Sequence, residues 1–360
     1  MNPSAAPYRF HAFEVSYFSA KVRPALRYKQ LWFEELRADL AEVQRRTGLG
    51  FVPVVITPED ETWQDSGEIL ARLEARHPAP PLIPRTPLLR IAAQLCELYS
   101  DEFGVTPAMQ WRWGTPDREA FARARFVAMT GNAQVGNRLA DLMVQRRDTV
   151  GATPSAAGAI EAHTRELLAA LSAHFAAHAF FLGERMSSAD CALMGLLHGH
   201  LFTDLRSREL LLATAVPTVG WIERCNIPCS DRQGEWHADD ALAPAARAAL
   251  GVMGRDAAPL LVEAVARIEA WADAHAQPGA ELPRGMGWLE TTLRGSPFRV
   301  GVRAYSLWVL QRALDVWRSL AEPERERVLE ALAGTGWEAV LTLRPRHRLE
   351  KRGFRVHFAE

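Results

Sequence analysis

At 360 residues the chain is long enough for two or three domains of ordinary size, and with 48% hydrophobic residues it can bury a sizeable core. A formal net charge of −1 removes any long-range attraction to nucleic acid or to an anionic membrane. Four cysteines (Cys96, Cys191, Cys225 and Cys229) form no Cys-x-x-Cys pair and no tetrad of metal-ligand spacing, which fits a reduced, cytoplasmic setting. The first residues carry no basic-then-apolar signal pattern, and no uncharged apolar run approaches bilayer length, so a soluble protein is expected. Lysine occurs only at positions 21, 29 and 351, and with the abundant alanine this reads as a bacterial-type, GC-rich coding composition.

In chain order, residues 8–15 alternate and are aromatic-rich, predicting a strand that turns through Ser16-Tyr17-Phe18-Ser19 into a helix reaching about residue 30. Pro24 falls inside that helix. A second strand is expected over 32–36 and a second helix over 39–46. A β-branched run over 52–56 then leads through a turn at 57–61 to another strand. Asp65, with Glu68 three residues later and apolar Ile69, Leu70 and Leu73 behind it, announces a third helix by a capping box. The order β-α-β-α-β-β-α is thioredoxin-like. In such folds the turn between first strand and first helix carries the chemistry, because exposed backbone N–H groups and the helix dipole favour a negative charge, a thiolate included. Here that turn reads Ser-x-x-Ser, which excludes dithiol exchange. Ser19 is the better N-cap candidate, leaving Ser16 for chemistry with Tyr17 as a rival donor.

Prolines 78, 80, 81, 84 and 87 predict a stiff linker, after which the chain reads as helical. Helices are expected over 88–102, 118–145 and 154–179, with an aromatic knot at 109–113 ahead of the second. Ser187 and Asp190 have capping-box spacing, flanked by Met186 and Cys191 as a hydrophobic staple, and their role is structural. Residues 217–244 read as irregular, and 259–274 as a further helix. His174 with His178, and Cys225 with Cys229, lack the additional ligands a metal would need, so no metal site is expected. Beyond a linker at 277–297, a strongly amphipathic helix is predicted over 302–320 and another over 323–332. A hairpin with Gly353 in its turn is predicted within 344–358. The apolar stripe of the 302–320 helix predicts that it packs back onto its own chain, and the basic tail reads as a solvated edge strand and not as a nucleic-acid patch.

The run Val52-Pro53-Val54-Val55, then Gln64-Asp65-Ser66-Gly67-Glu68-Ile69-Leu70, then His77-Pro78 resembles the glutathione-binding half of the cytosolic glutathione transferases. Gly183-x-x-x-Ser187-x-x-Asp190 resembles the buried capping box of their helical domain. The resemblance extends over about residues 8–275. It implies an α/β plus all-α fold: a thioredoxin-like domain at 1–80, a helical domain at 88–275, and beyond the family pattern a mostly helical extension at 280–360. It implies a cis Pro53, the Val52 backbone on the cysteinyl part of glutathione, and Asp65 and Ser66 on its γ-glutamyl end. Ser16 would hydrogen-bond the sulfur. Lowering a thiol pKa from about 8.5 by ~2 units needs only ~2.7 kcal/mol of preferential stabilisation. Tyr17 stands where many relatives have proline. The implied activity is conjugation of glutathione, as co-substrate, to a small electrophile, or glutathione-dependent lysis, by a cytoplasmic homodimer. A non-catalytic binding or scaffold protein on the same fold is the alternative.

Overall fold

A computed structural model describes residues 6–228 and 230–360. Strand β1 (Tyr8–Ala12), helix α1 (Tyr17–Tyr28), β2 (Phe33–Arg37), α2 (Leu40–Thr47), β3 (Val54–Ile56), β4 (Thr62–Gln64) and α3 (Ser66–Arg76) follow in that order. The sheet order is β2-β1-β3-β4, with β1 and β2 parallel and the other two pairs antiparallel. This is the expected thioredoxin-like layer, with the fully buried run Val54, Val55, Ile56 at its centre.

A largely helical body follows: α4 (Pro87–Glu102), α5 (Val105–Trp113), α6 (Pro116–Thr130), α7 (Ala133–Gln145), α8 (Ala157–Phe175), α9 (Ser188–Leu196), α10 (Leu205–Thr214), α11 (Val216–Asn226) and α12 (Pro244–His275). Several expectations are corrected here. The aromatic knot at 109–113 is itself a helix, α5, buried on nearly every face. The span 118–145 is broken at Gly131, which takes a left-handed φ of +66° before Asn132 caps α7. Residues 216–226, read as irregular, are helical because Pro217 stands in the first turn, where no N–H is missed. The helix expected at 259–274 begins at Pro244, and Pro259 lies inside its 32 residues. The 154–179 helix ends at Phe175, and its first residues form a short 3₁₀ turn. Ser187 N–H donates to the Asp190 carboxylate at 2.8 Å, and Asp190 also accepts from Phe181 N–H and Trp221 Nε1–H at 2.8 Å each, so this carboxylate organises the entry to α9.

The C-terminal part contains a hairpin, β5 (Trp288–Leu293) and β6 (Ser296–Gly301), where a linker was expected. Its two-residue turn is Arg294-Gly295, both at positive φ (+50° and +81°), the geometry that suits strand twist. Then come α13 (Ala304–Ser319), α14 (Glu322–Leu332), α15 (Trp337–Leu341) and the anticipated tail hairpin β7 (Leu349–Arg352) and β8 (Arg355–Phe358), with Gly353 at φ +61°. The stripe Leu307, Leu310, Leu314 and Trp317 is buried in the same apolar core as Leu88, Ile91 and Leu95 of α4. The basic tail is ion-paired within the chain: Arg346 to Glu269 and Asp273, Arg348 to Asp315, Arg355 to Glu281.

Candidate functional site

The register of the sheet brings the sequence candidates together. His11 near the end of β1 pairs with Val54 at the start of β3, and Val54 pairs with Gln64 at the end of β4. The turn 13–16, the Val52–Pro53 bond (which is cis) and the pair Asp65-Ser66 therefore emerge at one end of the sheet. Gln64 Nε2–H reaches the Phe51 carbonyl at 2.9 Å and holds the approach to Pro53 against β4.

Ser16 is the N-cap of α1: its Oγ accepts from Ser19 N–H at 3.2 Å in extended backbone geometry. The expectation that Ser19 caps the helix is corrected, because Ser19 lies within the first turn and is fully buried. An accepting hydroxyl still has its own proton, so half-buried Ser16 retains a donor at the helix N-terminus. Tyr17 is placed differently. Its hydroxyl donates to the Ser100 carbonyl at 2.9 Å, and burial drives its pKa well above the ordinary tyrosine value. The proton of Tyr17 is committed inside the core and does not face the sheet end. Val15 packs with Met109, Trp113 and Phe126 in a second, smaller apolar cluster. Arg112 fixes the turn from below, donating to the Val15 and Gly199 carbonyls at 2.6 Å each and to Asp204.

Asp65 carries the densest set of contacts. Its φ of +85° is a strained conformation for a residue with a Cβ, of the kind that costs on the order of 1–3 kcal/mol and persists only where the surroundings over-determine it. One carboxylate oxygen accepts from Gly67 N–H at 3.0 Å and Glu68 N–H at 3.3 Å, capping α3. The other accepts from Tyr305 Oη–H of α13 and from Lys351 Nζ of β7 at 3.0 Å. Lys351 also pairs with Glu68 at 2.8 Å. Burial pushes the Asp65 carboxyl up, but the Lys351 charge and the Tyr305 and Lys351 hydrogen bonds outweigh it, and the net shift is downward. Tyr305 is shifted far upward by burial beside that carboxylate.

A buried charge network continues from there. Lys21 of α1 donates to Glu97 and Asp101 of α4 at 2.8–2.9 Å, with its side chain wholly inaccessible. Arg312 of α13 lies 3.7 Å from Glu97 and donates to the Gly67 carbonyl. A Cβ at Gly67 would stand 2.2 Å from the Arg312 guanidinium and 2.5 Å from Glu97, so a side chain here would push those two termini aside. Arg303 and Ser306 donate to Glu102. Tyr305, Arg312, Lys351 and Glu97 were not among the sequence candidates. Their partners lie far off in the chain, 240 positions for Tyr305 and 286 for Lys351, beyond any local signal.

Residues 10–81 match the family model for the glutathione S-transferase N-terminal domain. That stretch is similar to a glutathione S-transferase N-terminal domain. No curated protein matches the chain. Among solved structures, a glutathione S-transferase from Rhodospirillum rubrum is 18% identical, covering 62% of this chain and 90% of its own with a TM-score of 0.43. A beta-etherase from Sphingobium is 16% identical, covering 62% and 97% with a TM-score of 0.45. A glutathione S-transferase from Methylobacterium radiotolerans, solved with glutathione sulfonate, is 19% identical, covering 62% and 92% with a TM-score of 0.39.

Within the stretch that matches this family model, Ser16, Val52, Pro53, Asp65 and Ser66 share one end of the sheet, and Tyr17 points away from it. No group of three or more His, Cys, Asp or Glu side chains among the described residues is arranged to hold a metal ion. His174 and His178 stack on each other, with His174 Nε2 against the Phe180 carbonyl; Cys225 is buried, and Cys229 lies outside the described residues. No helix among the described residues is long and apolar enough to cross a membrane. Two cavities, of about 600 and 440 Å³, lie elsewhere, the first between α8, α12 and residues 334–336 and the second beside Trp113 and Arg123.

Proposed function

We propose that this chain binds glutathione at the sheet end and acts as a glutathione transferase-like protein on a small electrophile. The observation that supports this is the register through His11, Val54 and Gln64, which gathers a helix-capping hydroxyl, a cis X-Pro bond and an acid–serine pair. The Ser16 hydroxyl at the head of α1 would donate to the sulfur and favour its thiolate, aided by the N-terminal N–H groups of that helix. The Val52 backbone would pair with the cysteinyl segment, and Asp65 and Ser66 would receive the γ-glutamyl end. Titration calorimetry with glutathione tests this: a saturable heat is expected from the native chain and not from an Asp65→Ala, Ser66→Ala double variant. The absence of any binding at the highest attainable glutathione concentration would remove this reading.

A second reading, a non-catalytic binding protein on the same fold, has its own observation in favour. Asp65 is saturated by the chain's own Tyr305 and Lys351, and the apolar cluster around Val15 is packed with side chains. Glutathione-dependent turnover of a generic aryl halide, abolished in Ser16→Ala, would exclude it.

A further inference from the structure

We propose that Lys351 is a built-in ammonium ligand of Asp65, and that it decides whether this subsite accepts the α-ammonium of an amino-acid ligand. The inference rests on the glutathione reading above and adds that the C-terminal tail competes for the same carboxylate.

A carboxylate offers about four lone-pair positions. On Asp65 all four are taken: two backbone N–H groups on one oxygen, the Tyr305 phenol and the Lys351 ammonium on the other. The two N–H groups are the cap of α3 and cannot be exchanged without unwinding its first turn. Tyr305 is fixed in a packed helix. Lys351 is the exchangeable partner. Its stem is long and flexible, and it has a second carboxylate at hand, Glu68 at 2.8 Å, to which it can retreat. An incoming –NH3+ would have the same charge, donor count and size as the group it replaces. With Lys351 seated, that incoming group meets a like charge in a site where the Lys351 and Asp65 side chains are only 11% and 7% exposed, so solvent screens the repulsion poorly. The α-carboxylate of the same ligand would find the Arg312 guanidinium beside Gly67 at the head of α3, whether or not Lys351 is seated.

The arrangement carries a signature that a purely structural ion pair lacks: it acts on the ligand's ammonium and on nothing else about the ligand. The experiment compares glutathione with N-acetylglutathione, which keeps the thiol and both carboxylates but has no α-ammonium, by titration calorimetry on the full-length protein. The native chain is expected to bind the two within a few-fold of each other. Lys351→Met is expected to gain on the order of tenfold for glutathione and nothing for N-acetylglutathione, while Lys351→Arg keeps the native pattern. A native chain that prefers glutathione to its N-acetyl form by tenfold or more overturns the proposal without any variant. So does a folded Lys351→Met protein whose two affinities rise or fall together. If neither ligand binds the native chain or the folded variant, the glutathione reading itself fails and this inference fails with it, a result distinct from the other two.

Discussion

Lysine stands at only three positions, and each is a buried joint. Lys21 sits between Glu97 and Asp101, Lys351 between Asp65 and Glu68, and Lys29 pairs with Glu74 while donating to the His77 and Pro80 carbonyls. A chain that uses arginine nearly everywhere else keeps the compact ammonium where three donors must point at separate acceptors in a small space. Lys21→Met would leave buried Asp101 without its cation and Glu97 with only the more distant Arg312, and such a change costs about 3–5 kcal/mol. Urea denaturation of Lys21→Met should show a loss of that size, whereas a change at exposed Arg45 should stay within about 0.5 kcal/mol. Ser16 caps α1, and substitution separates that cap from the thiol-donor role proposed for it. Ser16→Ala should cost about 1 kcal/mol as a lost cap and raise the pKa of bound glutathione thiol, read by thiolate absorbance. Ser16→Asp keeps the cap acceptor but removes the donor, so stability should recover while the thiol pKa stays raised. If both variants leave that pKa unchanged, Ser16 is a cap alone. The histidines set the pH response. Burial pushes His174 and His198 down to about 4, and His11, His77, His163, His200 and His237 are shifted downward too. Between pH about 6.5 and 4 the unfolded chain therefore binds more protons than the folded one, and stability falls as pH falls. Asp101, pushed up to about 7 by burial and Glu97 against the pull of Lys21, and Asp190, raised by burial, oppose this. The expected sign is that of the histidines, led by His174 and His198. Denaturation midpoints should decline steadily below about pH 6.5, and His174→Asn should flatten the slope.

Among elements, those with local signals were legible in the sequence and those defined by distant partners were not. The strand–helix alternation of the first 76 residues carried its own caps: Asp39 accepts from Ala41 and Glu42, Asp65 from Gly67 and Glu68. The tail hairpin was marked by Gly353, and the α9 entry by Ser187 and Asp190. The β5–β6 hairpin was missed because its turn pairs arginine, not asparagine or aspartate, with glycine. Arg294 holds φ +50° because its side chain is anchored in Asp256, itself bonded to His163, which meets the Tyr99 hydroxyl at 2.7 Å. A tertiary contact supplied what the turn sequence lacked. Likewise α5 has apolar and polar residues buried on all sides, so no periodicity distinguishes it. The sheet-end candidates were readable from the order Val-Pro and Asp-Ser, but the covering of Asp65 was not, since Tyr305 and Lys351 enter from separate elements. The contact of α12 with α15 is a test at this scale. A Cβ at Gly254 would lie 2.3 Å from the Thr335 carbonyl oxygen and 2.8 Å from the Trp337 ring, and Trp337 donates to the Leu250 carbonyl at 2.9 Å. Gly254→Ala should destabilise by about 1–3 kcal/mol through overpacking despite alanine's better helix propensity. A neutral or stabilising result would mean that α15 yields freely.

For the whole molecule, residues 280–360 complete the fold electrostatically as well as by apolar cover. The α4 face toward the extension bears Glu97, Asp101 and Glu102, and Asp65 lies beside it. Among the described residues, Lys21 is the one cation from the preceding chain bonded to this group, while the extension brings Arg303, Arg312 and Lys351 together with the Tyr305 and Ser306 hydroxyls. The same helix, α13, buries Leu307, Leu310, Leu314 and Trp317 against α4, each worth on the order of 1.5–3 kcal/mol of transfer free energy. Covered in this way, that face of α4 is not offered to a second copy of the chain. A protein ending at Gln277 would therefore expose an apolar face, leave Asp65 and Glu102 without their cations, and leave Glu97 with Lys21 alone. Both losses act in the same direction, but they respond differently to conditions. The apolar loss is insensitive to pH, whereas the uncompensated carboxylates are relieved by protonation. The truncated chain should aggregate or melt far below the full-length protein at pH 7. Substituting Glu97→Gln and Glu102→Gln in the truncated form should recover part of that difference, and in the full-length form it should destabilise, because Arg303 and Arg312 are then the unpaired ions. A truncated protein that is monodisperse and melts at the full-length temperature would show that the extension is an appendage. A glutamine pair that harms both forms alike would show that the carboxylates serve α4 and not its contact with the extension.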